Sequence, residues 1–465
     1  MSLKYFPAFL LFVFLFIKTS GQHNASPKDK NDTASLLQAF KKGKTEGHFR
    51  LYYMTTNNHE PLTDYNALAF GGGLKYQTRS FKGFQLGVGG FFIWNLASSD
   101  LTKPDPYTQT MNRYEIGQFD QEDPSNKRNP QRLEDFFIRY NFKNSFIRYG
   151  KQVVKTPFIN PQDGRMRPTG EQGLWVEMNE LKKTKIELGW LTHISPRGTV
   201  KWHRGASSVG IYPAGVDING EKSNYKNNIQ SAGIAVAGIT YSPNKKIKLQ
   251  AWNHFVENIF NTVLLQADAE FEAGKNQTFL AGIQYIGQRA VNKGGNADSS
   301  KTYFHPSQKV NIYSARAGYL WKLSAIHLNY TRIGRQGRFL FPREWGREPL
   351  YTFLPRERNE GLGDVHAFTI NMTRQFAKQK INTGLSAGYY HVADVKNYRL
   401  NKYGMPGYWQ FNFGFKYSFD GMMKGLNAEL LYLYKKRNGN SYNDWKYFIN
   451  KVDMQQLNLI FNFNF

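Results

Sequence analysis

Four arginines lie in segments of the chain where every second residue is apolar. Arg50, Arg139, Arg148 and Arg316 each occupy the polar positions of such a segment. Successive side chains of a β-strand point to opposite faces, so each guanidinium would face away from the apolar side. On a lipid-facing position near the middle of a membrane, an arginine costs about 2–4 kcal/mol. If these strands cross a membrane, we expect the four arginines to face a water-filled interior, where they attract anions.

Two of these arginines belong to a repeated tetrapeptide. Phe-Ile-Arg-Tyr occurs twice, with Arg139 in the first copy and Arg148 in the second. A two-residue turn at Lys143-Asn144 would place the two arginines directly opposite each other on neighbouring strands. Like charges in that position destabilise a sheet, so a negative group should lie beside them. The sequence leaves two sources open, namely a carboxylate such as that of Asp135 and a passing anion.

The segment 155–170 follows this hairpin and carries the next group of charges. It contains three prolines, two glycines and the charged residues Asp163, Arg165 and Arg167. Such a loop is rigid and polar, and in a wide barrel it can fold inward and narrow the channel. An ordinary external loop is the alternative. We predict a constriction loop near 154–172, with these three residues close to the narrowest point.

A second loop, at 334–362, combines basic and aromatic residues. Three interpretations remain open for it: an electrostatic funnel for anions, a contact with lipopolysaccharide outside the cell, or a solvated loop with no specific partner. The sequence does not decide whether this loop enters the barrel. Its basic residues, with one from the preceding strand, are Arg332, Arg335, Arg338, Arg343, Arg347, Arg356 and Arg358.

Residues that could carry out catalysis are sparse. The ten histidines are scattered, there is no cysteine, and no Gly-x-Ser-x-Gly motif occurs. His366, near a predicted strand start, could belong to a lipase site embedded in a barrel, but it would need a serine within hydrogen-bond reach. A histidine at the barrel rim is the simpler interpretation. We therefore predict that the protein is not an enzyme and has neither a metal site nor a cofactor.

The strands that would position these residues are clearest at the end of the chain. Within 454–465, apolar and polar residues alternate, which is the period of a strand with one apolar face. A soluble β-sandwich could use such a strand, but an apolar edge of this length promotes aggregation. Closure of a barrel surrounded by lipid removes that edge. The terminal Phe465 resembles the C-terminal signal of Gram-negative outer-membrane barrels, which implies the barrel-assembly machinery as a partner.

Similar alternation recurs from Gly47 onward, and tight turns alternate with long loops. The fold class is therefore predicted to be all-β. We expect a transmembrane antiparallel β-barrel of eighteen strands, or alternatively sixteen, with short periplasmic turns and long extracellular loops. The predicted strands start near residues 47, 66, 82, 132, 145, 173, 184, 231, 246, 261, 277, 309, 323, 363, 380, 406, 425 and 454.

The beginning of the chain has a different organisation. Residues 1–21 form a predicted secretory signal peptide, because a lysine precedes an apolar run at 6–17 and small residues follow it. Residues 22–46 are predicted to be a periplasmic N-terminal segment with a short capped helix near 32–40. Residues 47–465 form the predicted barrel.

Composition agrees with an exported barrel. Mean hydropathy is −0.57, yet aromatic residues make up 16% of the chain, as aromatic girdles and a polar interior would produce. The net charge of +26 favours anionic partners, which include nucleic acid, anionic lipid headgroups and anionic solutes. Export makes nucleic acid the least suitable of these. Outer-membrane lipid and lipopolysaccharide remain expected partners.

Several short motifs resemble those of OprD-type outer-membrane porins, and their order along the chain is the stronger part of the likeness. They are Tyr149-Gly-Lys-Gln152, Thr156-Pro157, Asn160-Pro161, Asp163-Gly-Arg165 with Pro168, and Phe419-Asp420 with Lys424-Gly-Leu426.

The resemblance implies an eighteen-stranded barrel whose loops fold inward to a narrow eyelet. It also implies a ladder of interior arginines that guides small solutes bearing carboxylates. The ladder candidates are Arg139, Arg148 and Arg316, whereas Arg50 has no matching position in the family pattern. The loop at 334–362 is more basic than the resemblance leads us to expect.

We therefore predict an outer-membrane porin of a Gram-negative bacterium. It would pass small, carboxylate-bearing or otherwise anionic solutes by passive diffusion. Organic acids, amino acids and oligosaccharides all remain open as solutes. Two alternatives come from other functional classes, namely a lipid hydrolase embedded in the barrel and a plugged structural or adhesive barrel.

Overall fold

The computed structural model describes residues 32–128, 130–162, 164–376, 378 and 380–465. Within them the chain forms nineteen strands in one antiparallel sheet, and eighteen of these close into a barrel. The strands are β1 Lys44–Asn57, β2 Tyr65–Gln77, β3 Phe84–Ser98, β4 Arg132–Phe142, β5 Ser145–Gln152, β6 Gly170–Met178, β7 Thr184–Ser195, β8 His203–Arg204, β9 Ile234–Asn244, β10 Ile247–Val256, β11 Phe260–Gly274, β12 Gln277–Ala290, β13 Lys309–Trp321, β14 Ser324–Ile333, β15 Val365–Phe376, β16 Ile381–His391, β17 Tyr408–Ser418, β18 Leu426–Arg437 and β19 Met454–Asn464.

Each barrel strand pairs with its neighbours in the chain, and the two-residue strand β8 lies outside this order. β7 pairs directly with β9, while β8 is a loop segment paired with β7. The seam is formed by β1 and β19, with Arg50 opposite Asn462. The prediction of eighteen rather than sixteen barrel strands is confirmed, as is closure by the last strand. None of the helices in the described ranges has the length and apolar character needed to cross a membrane.

Strand positions follow the alternation closely. All eighteen barrel strands start within three residues of the predicted positions. The largest differences are at β1, β6 and β9, where polar or glycine residues at the strand ends interrupt the alternation. Ladder hydrogen bonds extend or stop there independently of side-chain polarity. Alternation therefore locates strands well and their ends less well.

The two faces of the barrel differ as the alternation predicts. On β4, Phe136 and Ile138 are exposed on the outside, whereas Asp135 and Phe137 are buried inside. Outward aromatic side chains also contact each other in pairs near the short turns, as Phe84 and Tyr140 do with their ring centroids 4.8 Å apart. Such aromatic pairs near a strand end are typical of the girdles at a membrane interface.

Connections at the two ends of the barrel differ in length. At one end the strands are joined by short turns, such as Lys143-Asn144 between β4 and β5. Lys143 adopts a φ of 49° there, which a tight hairpin turn requires. At the other end, long loops fold into the barrel and pack on its wall. Buried Phe339, Phe341 and Trp345 belong to one apolar cluster with wall residues such as Trp252.

This packing changes the expected interior. Several interior positions of β9 to β12 next to the loops are apolar, as at Val236, Trp252, Leu264 and Ile286, although polar residues such as Gln288 are buried beside them. Composition predicts a polar interior. The difference arises because inward loops exclude water from this half of the barrel, so apolar side chains are stabilised there.

The predicted capped helix is present ahead of the barrel. Helix α1 spans Leu36–Lys41, and the side chain of Ser35 accepts a hydrogen bond from the backbone N–H of Gln38. β1 follows from Lys44, three residues earlier than predicted. The predicted signal peptide lies outside the described residues and stays a prediction, as does the boundary of the periplasmic segment.

Candidate functional site

The hairpin of β4 and β5 brings the two arginines of the repeated tetrapeptide together. Phe142 pairs with Ser145 across the two-residue turn, and Arg139 is the direct cross-strand partner of Arg148. Both side chains lie on the inner face and are half-buried. The predicted pairing follows from the turn, because a two-residue connection fixes the register of both strands.

The groups in direct contact with this arginine pair are neutral, while the carboxylates of Glu177, Asp135 and Glu171 act on it from further away. The Arg139 guanidinium lies 3.7 Å from the ring centroid of Phe146, a cation–π contact. Its Nε donates to Asn141 Oδ1 at 2.7 Å, and Arg148 Nε donates to Gln152 Oε1 at 2.5 Å.

The carboxylate considered as an internal partner for the pair is engaged elsewhere. Asp135 accepts from Lys75 Nζ on β2 at 3.0 Å. In the part of the chain that the structure describes, neither Arg139 nor Arg148 forms an ion pair. The two positive charges therefore face the interior without a bound carboxylate of the protein.

Arg50 lies at the barrel seam and connects it to the loop between β5 and β6. Its Nε donates to Asn462 Oδ1 on β19 at 2.6 Å, and its Nη1 donates to the backbone carbonyl of Arg165. The guanidinium therefore links the first strand, the last strand and this loop. Much of its hydrogen-bonding capacity is used within the protein.

The loop between β5 and β6 folds inward, but two of its predicted site residues are buried. Only 1% of Arg167 is exposed, and it donates to the carbonyls of Pro130 at 3.0 Å and Thr199 at 2.8 Å. Burial lowers the pKa of its guanidinium below the ordinary value. Arg165 is 4% exposed and also has partners in the protein. Asp163 lies outside the described residues.

Arg316 lies on β13 beneath the loop that follows β14. Its Nε donates to Asn329 Oδ1 at 3.0 Å, and its guanidinium lies 4.2 Å from the ring centroid of Tyr351. The hydroxyl of Tyr351 donates to Asp268 Oδ1 at 2.7 Å. Arg316 is half-buried.

The loop between β14 and β15, residues 334–364, enters the barrel. Its backbone is held on one wall by Gln288, whose Oε1 accepts from the N–H of Leu340 at 3.0 Å. On another wall, Gln410 Nε2 donates to the carbonyl of Pro355 at 2.8 Å. The sequence did not decide whether this loop enters the barrel, and the structure shows that it lies in the interior.

Most charges of the 334–364 loop are compensated inside the protein. Glu357 lies between Arg113 at 3.0 Å and Lys435 at 2.7 Å, and Arg343 pairs with Glu360 at 2.6 Å. Burial opposes ionisation of Glu357, but the two cations outweigh it and hold the pKa of this carboxyl well below its ordinary value. Sequence reasoning singled out the arginines here and missed their acidic partners.

Two of the open cavities on the side of the short turns are lined by several charged residues. One has a volume of about 610 Å³ and is lined by Arg347, Arg356, Lys416 and Glu429, among others. The other, about 600 Å³, is lined by residues including Lys155, Lys185, Lys248 and Glu187. Within these linings, Lys416 pairs with Glu429 and Lys185 with Glu187, both at 2.9 Å. Both cavities mix paired charges with additional cations.

His366 is placed at the rim near the start of β15. One ring nitrogen, Nδ1, lies 2.9 Å from the hydroxyl of Tyr330, and its ring centroid is 6.4 Å from that of His391. Within the described ranges, no group of three or more histidine, aspartate or glutamate side chains is arranged to hold a metal ion.

The sequence matches a known protein family. A family described as "outer membrane porin, OprD family" matches residues 135–455. Curated proteins yielded no match.

Solved structures with the same architecture include proteins from two bacteria. Pseudomonas aeruginosa OpdK, solved with vanillate, is 14% identical with a TM-score of 0.70, and the match covers 92% of this chain and 99% of that one. P. aeruginosa OccK2 (OpdF), solved with glucuronate, is 14% identical with a TM-score of 0.67 over 91% and 98% of the two chains. Acinetobacter baumannii OccAB2 is 14% identical with a TM-score of 0.69 over 92% and 99%. At this identity the likeness concerns the fold.

Proposed function

The chain belongs to the OprD family of outer-membrane porins, and on that premise we propose that it passes small carboxylate-bearing or otherwise anionic solutes by passive diffusion. The family match covers residues 135–455, and the barrel matches those of solved porins along nearly its whole length. Porins of this family reside in the outer membrane of Gram-negative bacteria, which is the location we propose for this protein. Lipopolysaccharide and outer-membrane phospholipid would surround its outer face, and the barrel-assembly machinery would insert it.

The observation that carries the proposal is the Arg139–Arg148 pair. Two guanidinium groups lie directly opposite each other on the inner face, and Lys75 holds the neighbouring carboxylate of Asp135. Repulsion between the two arginines would fall if an anion approached them. A solute carboxylate would therefore be attracted to a position where no carboxylate of the described residues forms an ion pair with either arginine.

The route of such a solute would use the remaining interior arginines as well. Arg50 and Arg316 lie half-buried on the inner face. The cavities on the short-turn side add Lys248 and Lys155 near one wall. Low-dielectric walls strengthen the field of such charges compared with an open surface. We assign to Arg165 and Arg167 a supporting role in the loop rather than direct contact with solute.

The relatives fit this choice of solute. OpdK was solved with vanillate and OccK2 with glucuronate, and both ligands carry a carboxylate. Small organic acids of this kind are our first choice. Amino acids entering with the carboxylate first and acidic oligosaccharides are the next candidates.

The test is a measurement of ion selectivity in planar bilayers. We expect the wild-type channel to prefer anions under a salt gradient, and the double variant Arg139→Ala, Arg148→Ala to shift the reversal potential toward cation preference. The preference should weaken at high salt, because the Debye length falls from roughly 10 Å at 0.1 M to about 3 Å at 1 M.

A matched control removes two charges elsewhere. Lys245→Ala with Lys275→Ala deletes two exposed cations from short turns and should leave the reversal potential near that of the wild type. A cation-selective wild type would contradict the proposal. An unchanged potential in a folded double variant would remove Arg139 and Arg148 from the mechanism.

A plugged structural barrel is the second candidate, and one observation favours it. The 334–364 loop crosses the interior and buries Phe339, Phe341 and Trp345. If this loop seals the barrel, bilayers would show no conductance with the wild type and clear conductance after the loop is shortened. Conductance of the wild type would exclude the sealed state.

A further inference from the structure

Helix α1 exposes a cluster of large apolar side chains. Leu36 is 56% exposed, Leu37 is 63% exposed and Phe40 is 44% exposed. Ala39, on a different side of the helix, is 1% exposed, and its carbonyl accepts from the N–H of Arg79 at 3.0 Å. The helix is thus docked on the barrel by Ala39, while its apolar residues point away from the protein.

The position of α1 connects these residues to the outer surface of the barrel. The hydroxyl of Tyr76 donates to the carbonyl of Phe40. Tyr76 lies on the outer face of β2, two residues after Leu74, which is 59% exposed. The first strand starts at Lys44, immediately beyond the helix. The apolar residues of α1 therefore lie at the edge of the apolar outer face of the barrel, at the level of the aromatic pairs near the short turns.

Basic residues surround this apolar cluster. Lys41, Lys42, Arg79 and Lys82 are all exposed near the helix or on the turn that it contacts. A short helix with apolar residues on one side and cations around it has the composition of an interfacial amphipathic helix. Such cations are attracted to the phosphates of anionic lipid headgroups.

We propose that α1 is a membrane-interface helix whose apolar residues Leu36, Leu37 and Phe40 insert into the periplasmic leaflet of the outer membrane. Lys41 and Lys42 would lie at the phosphate level of the phospholipids. The occupant is lipid rather than a protein, because the cluster continues the lipid-facing belt at Tyr76 and Leu74. Gly43 is the single residue between the C-cap Lys42 and β1, so insertion would hold the barrel seam at a fixed depth. This role is separate from solute passage.

The absence of cysteine from the sequence makes a direct depth measurement simple. Single cysteines are introduced by Leu37→Cys, Gln38→Cys and Leu74→Cys, labelled with a nitroxide, and reconstituted in vesicles of phosphatidylethanolamine and phosphatidylglycerol. Gln38 is the matched control, because it follows Leu37 and lies about 100° further around the helix. Leu74 provides the reference for a lipid-facing position. Heat-modifiable gel migration and wild-type conductance show that each labelled barrel is folded.

Collision with oxygen and with a water-soluble nickel chelate reports the surroundings of each label. We expect the label at position 37 to resemble that at 74, with high oxygen and low nickel accessibility, and the label at 38 to show high nickel accessibility. Equal nickel accessibility at 37 and 38 would place the helix in water and overturn the proposal. Low accessibility of position 37 to both reagents would mean that a protein covers the helix, a periplasmic partner or a second copy of the chain, and would overturn it equally.

Discussion

Two regions inside this barrel use arginine in opposite ways. In the 334–364 loop, Arg343 is paired with Glu360, and Glu357 is held between two cations. In the hairpin of β4 and β5, Arg139 and Arg148 face each other, and Asp135 forms an ion pair with Lys75. A compensated charge binds one part of the protein to another. An arginine on the inner face that forms no ion pair remains available to a solute.

The strongest test of this comparison removes the carboxylate of Glu357, which lies between Arg113 and Lys435. Glu357→Gln would leave Arg113 and Lys435 close together and without their counter-charge. Breaking a buried ion pair in this way costs about 3–5 kcal/mol. We expect a corresponding fall in the free energy of unfolding, measured by denaturant titration in detergent.

The matched control for Glu357→Gln is Glu270→Gln, because Glu270 is exposed on β11. Its change should alter stability by less than about 1 kcal/mol. If the two substitutions changed the free energy of unfolding equally, the ion pairs of Glu357 would not stabilise the barrel.

The contribution of Glu357 to the stability of the protein changes with pH in a direction that its pKa defines. The pKa of Glu357 is lower in the folded protein than in the unfolded chain, so its contribution is fully present above about pH 4.3. It is lost as the pH falls below that value toward the folded pKa. This acid-side loss should be absent from Glu357→Gln.

A second prediction concerns where the barrel accepts a new charge. Leu385→Arg would place a guanidinium on the outer face, where Leu385 is 57% exposed, and should cost about 2–4 kcal/mol. Thr373→Arg would instead project into the cavity that Thr373 lines and should be tolerated. Levels of heat-modifiable barrel in membranes would distinguish them. Comparable assembly of both variants would show that the two faces are wrongly assigned.

The smallest expected effect is on the hairpin itself. Replacing Arg139 and Arg148 by alanine removes a like-charge contact but also the stacking on Phe146. These contributions are each about 1 kcal/mol or less, so the free energy of unfolding should change by less than about 1 kcal/mol. A loss as large as that of Glu357→Gln would mean that the pair is structural.

Alternation and turn length account for what the sequence predicts correctly. The period of two locates the strands, and Lys143-Asn144 fixes the register that joins Arg139 to Arg148. Neither rule applies to the loops. The contact of Glu357 with Arg113 joins residues 244 positions apart, and no local pattern links them. For the same reason, the burial of Arg167 under Thr199 could not be inferred from the composition of its loop.

The course of the 334–364 loop has a mechanical consequence for the whole molecule. It is fastened to β12 through Gln288 and to β17 through Gln410, and Arg356 donates to Asn458 on β19 at 2.9 Å. The loop is therefore a strut between walls that are five to seven strands apart in the barrel order. A cylinder braced in this way resists flattening, so the cross-section near the loop is set by the length of the strut as well as by the curvature of the sheet.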